Sequence, residues 1–105
     1  MQPAISTLIL YKKRLGDLTK ILENNQGIAN WEIIDEGFHG LSEEKIKDLR
    51  EIALTHSLRY SVHAPFSNIN LAETDPILRN MFIEFVEKSL MRAYRLEAEF
   101  FVIYP

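Results

Sequence analysis

The chain has no cysteine among its 105 residues. Disulfide staples, thiolate nucleophiles and thiolate metal sites are therefore excluded. Basic residues are few: 12 lysines and arginines face 15 aspartates and glutamates, a formal net charge of −3. A surface built to neutralise phosphates carries a basic excess, so nucleic acid is not the expected partner. No run reaches the roughly 18 apolar residues that a membrane helix needs. The N-terminus has no basic stretch followed by an apolar one, so no signal peptide is read. The expectation is a cytoplasmic chain with no membrane partner. Glycine is also scarce, 4 in all. The first loop, Tyr11-Lys12-Lys13-Arg14, has nothing of a glycine-rich phosphate fingerprint, which argues against a nucleotide-binding Rossmann unit.

What is present is an ordinary globular composition, 47% hydrophobic and 26% charged, at the length of one domain. Its apolar residues alternate between two periods. Residues 4 to 10 form a short apolar run that suits a strand covered on both faces. Leu15, Leu18 and Leu22 share one face of a helix that ends near Gly27. Asn30 to Ile34 reads as a second strand. Ser42 is a good N-cap, with Glu43 and Glu44 placed to favour a helix running to about His56. Arg59 to His63 is the third strand. Asp75-Pro76 opens a long helix to about Leu96, with Leu78, Met81, Phe82, Phe85, Val86, Leu90, Ala93 and Tyr94 as its apolar stripe. The aromatic and methionine positions of that stripe are read as core. Phe100 to Tyr104 is a fourth strand.

The order β-α-β-α-β-α-β implies an α/β fold of parallel strands with right-handed crossovers, in one domain over residues 1–105. Two closures fit: an open doubly wound sheet, or half of a (β/α) barrel. A four-stranded parallel sheet alone would expose two edges and an apolar face. The expectation is a half completed by a longer barrel or by dimerisation. In a homodimer, the fourth strand of each copy would pair with the first strand of the other.

In such arrays the functional face lies at the carboxyl ends of the strands. His63 sits at such an end, in Tyr60-Ser61-Val62-His63-Ala64-Pro65-Phe66-Ser67-Asn68. A neutral imidazole there can bind a divalent metal or shuttle protons. Glu32 interrupts an apolar strand, and an inward carboxylate needs a partner or a raised pKa. It is a candidate for catalysis. Lys12, Lys13 and Arg14 leave the first strand on the same face and could hold a phosphate. Asp35, Glu36 and His39 follow the second strand, and Asn68 and Asn70 the third. Of these, His39 and Asn68 are substrate-binding candidates. His56 is expected to be structural or exposed.

The stretch Tyr60-Ser61-Val62-His63-Ala64-Pro65-Phe66, followed by Ile69-Asn70-Leu71-Ala72 and Asp75-Pro76, resembles the xylose isomerase-like TIM-barrel superfamily. Trp31-Glu32-Ile33-Ile34 is similar to its second strand, Ile5-Ser6-Thr7-Leu8 to its first, and Leu96-Glu97-Ala98 to the end of its third helix. The resemblance implies half of a (β/α)8 TIM barrel. It implies a relative of metal-dependent sugar or sugar-phosphate isomerases and epimerases, or of the endonuclease IV type of abasic-site nuclease. By that resemblance His63 is a metal ligand, the metal being zinc, manganese or magnesium. Where nuclease members carry a second histidine, this sequence has Tyr104, a poor replacement for an imidazole ligand. A sugar or sugar-phosphate ligand is the expected small-molecule partner. A non-catalytic half-barrel that binds a ligand or partner chain is the competing expectation.

Overall fold

In the computed structural model, residues 4–6, 20, 27–36, 40–67 and 69–103 are described. Four parallel strands run through them: β1 (Ala4–Ser6), β2 (Asn30–Ile34), β3 (Arg59–His63) and β4 (Phe100–Val102). The spatial order is β1-β2-β3-β4, the same as the order in sequence. That order decides between the two closures. A doubly wound sheet reverses direction at a switch point, whereas each unit of a barrel adds on the same side. The chain is therefore an α/β partial barrel. Residues 7–10 and the helical pattern at Leu15, Leu18 and Leu22 lie outside the described residues.

Helices 43–56 and 76–96 form where the capping chemistry placed them. Ser42 is extended, and its hydroxyl accepts the Lys45 N–H at 3.2 Å. Asp75 accepts the N–H groups of Ile77 at 2.9 Å and Leu78 at 3.4 Å, with Pro76 in the first turn. These bonds satisfy donors that the first helical turn leaves without partners. Both helices end on a left-handed residue, Ser57 (φ 55°) and Glu97 (φ 63°). No described helix is long and apolar enough to cross a membrane.

The core lies between the sheet and these helices. Register pairs Trp31 with Tyr60 and Ile33 with Val62, which puts all four on one face. They pack with Ile46, Leu49 and Ile52 of helix 43–56 and with Ala93 and Leu96 of helix 76–96. The long helix corrects one expectation. Its buried positions are Val86, Ser89, Ala93 and Leu96, whereas Met81, Phe85, Met91 and Tyr94 are exposed. The apolar stripe is wider than the surface the described sheet and helix offer it.

A buried carboxylate fixes the exit of β2. Asp35 is 4% exposed. Its Oδ1 accepts the Leu41 N–H at 2.7 Å, which anchors the approach to helix 43–56. Its Oδ2 accepts from Ser89 Oγ at 2.6 Å and Arg92 Nε at 3.0 Å, both on helix 76–96. One side chain thus joins β2 to both helices. Removing it leaves the buried Ser89 hydroxyl unsatisfied and the part-buried Arg92 unpaired. Asp35→Ala is expected to lower the unfolding free energy by about 3 kcal/mol, read as a lower urea midpoint at unchanged slope.

Tyr60 makes a second buried bond, its hydroxyl donating to the Leu49 carbonyl at 2.8 Å. Burial raises the phenol's pKa above its ordinary value. The folded chain therefore holds this proton more tightly than the unfolded chain does. The resulting stabilisation is complete below pH ~10 and is lost as pH rises from there toward the folded-state value. Denaturation series should show an alkaline loss of stability in the parent that is smaller in Tyr60→Phe.

Candidate functional site

The sheet face opposite the helices carries Glu32, Ile34, Ser61 and His63. Register sets them in two layers with β4: Glu32, Ser61 and Phe100 in one, and Ile34, His63 and Val102 in the other. The second layer is nearer the strands' carboxyl ends. His63 is therefore at the rim, and Glu32 lies two residues back along its strand, about 7 Å deeper. A ligand entering from the carboxyl ends meets His63 before Glu32. Both residues are half-buried.

The geometry at His63 assigns roles to its two ring nitrogens. Nδ1 lies 2.7 Å from the Ala64 carbonyl oxygen. A carbonyl only accepts, so Nδ1 carries the proton, and in the neutral ring Nε2 is the nitrogen with the lone pair. The backbone around it is held from both neighbouring strands. The Asp35 N–H donates to the His63 carbonyl at 3.0 Å, and the Ala64 N–H donates to the Val102 carbonyl at 2.8 Å. The Phe66 ring meets the imidazole edge to face, with centroids 5.3 Å apart and planes at 74°.

The other candidates separate. Asp35 belongs to the core clamp. Glu36 turns to the loop after β3: Oε1 accepts the N–H groups of Phe66 at 3.1 Å and Ser67 at 2.7 Å, and Oε2 accepts from Ser67 Oγ at 2.8 Å. Sequence reasoning missed this role, because nothing local links residues 31 positions apart. Asn70 serves a turn, accepting the Ala72 N–H at 3.0 Å. His56 is in the last turn of its helix, at the opposite end from the strands' carboxyl ends. Lys12, Lys13, Arg14, His39 and Asn68 lie outside the described residues, as does Tyr104.

Among the described residues, no group of three histidines, aspartates or glutamates could hold a metal ion. His63 offers one imidazole donor, and by themselves these residues do not make a metal centre. A groove of about 820 Å³ runs between the two helices, lined by Ile46, Leu54, Tyr94 and charged side chains. It is on the helix side of the sheet, away from His63, and has no histidine among its described lining residues.

A family model described as xylose isomerase-like TIM barrel matches residues 24–105. Over 106 residues the chain is 33% identical to an uncharacterized protein of Methanocaldococcus jannaschii, covering 100% of this chain and 36% of that relative. A second uncharacterized protein of the same organism is 27% identical over 93 residues, covering 89% and 35%. Among solved structures, a D-tagatose 3-epimerase-like protein matches with a TM-score of 0.86 and 32% identity, over 100% of this chain and 38% of that one. D-psicose 3-epimerase with D-tagatose, from Clostridium cellulolyticum H10, matches with a TM-score of 0.77 and 22% identity, over 98% and 37%. This last likeness is one of fold. The chain spans little more than a third of the length of these relatives.

Adjacent residues of β3 should separate stability from site chemistry. Val62 is fully buried in the core, and Val62→Ala is expected to cost about 2 kcal/mol. His63→Ala, on the other face, should cost less than about 1 kcal/mol. Paired urea titrations check the contrast.

Proposed function

The chain belongs to the xylose isomerase-like TIM-barrel family, and from that premise we propose that it forms one part of a sugar epimerase barrel whose pocket opens at the carboxyl ends of β1 to β4. The observation that carries the reading is His63. It stands at the rim of the sheet face opposite the described helices, with Nδ1 committed to a carbonyl and Nε2 as its basic nitrogen. The likeness to a D-tagatose 3-epimerase-like structure over the whole chain supports the substrate class, a small keto sugar. Phe100 is 69% exposed and Val102 38% on that face. Their exposure supports a barrel closed by further strands, from a longer polypeptide or from a second copy.

Epimerisation beside a carbonyl removes a proton from one face of a carbon and returns one to the other. The enzyme needs an acid–base pair and hydrogen-bond donors at the oxygen where charge develops. His63 is proposed to accept a hydrogen bond from a sugar hydroxyl at the rim through Nε2, and to act there as a base. Glu32, one layer deeper, is proposed to accept from a hydroxyl that reaches into the barrel. A metal centre in the whole protein would need donors beyond the described residues, with His63 as one ligand at most. The nuclease reading has less support, given the net charge of −3 and the epimerase-like structural match.

The test is incubation of the full-length protein with a panel of ketohexoses and their phosphates in deuterated water, followed by NMR. The expected result is a 3-epimer carrying solvent deuterium at the inverted carbon. His63→Ala should lower kcat/KM by about a hundredfold. Neither epimer nor deuterium with any sugar in the panel would overturn the proposal.

A further inference from the structure

Glu36 and Asp35 are neighbours in sequence, yet their carboxylates face different parts of the molecule. Asp35 is used up inside the core. Glu36 spends three hydrogen bonds on two residues of a short loop, Phe66 and Ser67. Hydrogen bonds to an ionised carboxylate are stronger than neutral ones, so this is a firm grip on a four-residue segment.

That segment, Ala64-Pro65-Phe66-Ser67, is restrained along its length. Its first N–H is bonded to Val102 of β4. Pro65 fixes its own φ and restricts the residue before it. Glu36 holds the far end. The Ala64 carbonyl lies between these restraints, and it is the acceptor for His63 Nδ1. The Phe66 ring, whose backbone N–H Glu36 binds, is also the ring packed on the imidazole. Two contacts that orient His63 therefore come from the segment Glu36 holds.

We propose that Glu36 is a positioning residue for His63: by gripping residues 66–67 it keeps the Ala64 carbonyl on Nδ1 and so leaves the lone pair of the neutral ring on Nε2. The inference rests on the reading of His63 as a site residue. An orienting bond on one imidazole nitrogen is what sets the tautomer of the other. If the grip is lost, the carbonyl can turn away and the proton can move to Nε2. The rim would then present a donor in place of an acceptor.

The test is nitrogen NMR of the full chain with labelled histidine, His63 being assigned by its loss in His63→Gln. The parent should show the Nδ1–H tautomer at His63. Glu36→Ala should shift the ring toward Nε2–H, while the amide spectrum of the core stays that of a folded protein. Glu36→Gln should restore the Nδ1–H form, because its amide oxygen still accepts from Phe66 and Ser67. A parent already in the Nε2–H form, or a folded Glu36→Ala with an unchanged tautomer, overturns the proposal. If Glu36→Ala does not fold, Glu36→Asp replaces it: the shorter arm should shift the tautomer where Gln does not, and no shift in Asp overturns the proposal. The readout needs no sugar, so a failed epimerase assay and a failed tautomer test are separate results.

Discussion

The carboxylate of Asp35 is the constraint on which the arrangement depends. A buried charge is tolerated only when paired and hydrogen-bonded, and Asp35 has three donors from two different directions. Satisfying it requires the end of β2, the approach to helix 43–56 and the middle of helix 76–96 to meet at one point. Apolar packing around Ile33, Leu49 and Val62 supplies most of the burial, but such packing tolerates small slips. A carboxylate with three directional partners does not. The exposed ion pair between Arg50 and Glu97 adds little by comparison.

The same exit from β2 carries the link to the site. The Asp35 N–H is bonded to the carbonyl of His63, and the next residue, Glu36, holds the loop that follows His63. Consecutive acids thus divide the work, one fastening the helices behind the sheet and the other the loop above it. The histidine at the rim is fixed by main-chain bonds from β2 and β4 and by a carboxylate from the β2 exit. Such restraints hold the side chain in one orientation without a ligand present.

The fold was largely legible because its signals are local. Ser42 and Asp75-Pro76 announce helix starts through bonds made within three residues. The alternation in Trp31-Glu32-Ile33 and Tyr60-Ser61-Val62-His63 fixes which side chains face the helices. The alternation of elements alone fits either closure; the resemblance pointed to a half-barrel, and the observed order β1-β2-β3-β4 agrees with it. The roles of Asp35 and Glu36 were hidden for another reason. Their partners lie 6 to 57 residues away in sequence, and only the folded chain brings them together. The exposed Met81, Phe85 and Tyr94 show the opposite failure: a stripe at helical spacing reports that something covers it, and not what. His63 stood out as a candidate because a histidine at the end of a parallel strand is a position that fold class alone marks out.

The central proposal is that the sheet face opposite the helices, with His63 at its rim, is one wall of a sugar pocket. A structure of the full-length protein with a ketohexose bound tests it most directly. The account predicts the sugar at the carboxyl ends of the strands, with one of its oxygens about 3 Å from His63 Nε2. A sugar bound away from that rim, or a closed barrel in which His63 is sealed against protein, would contradict it.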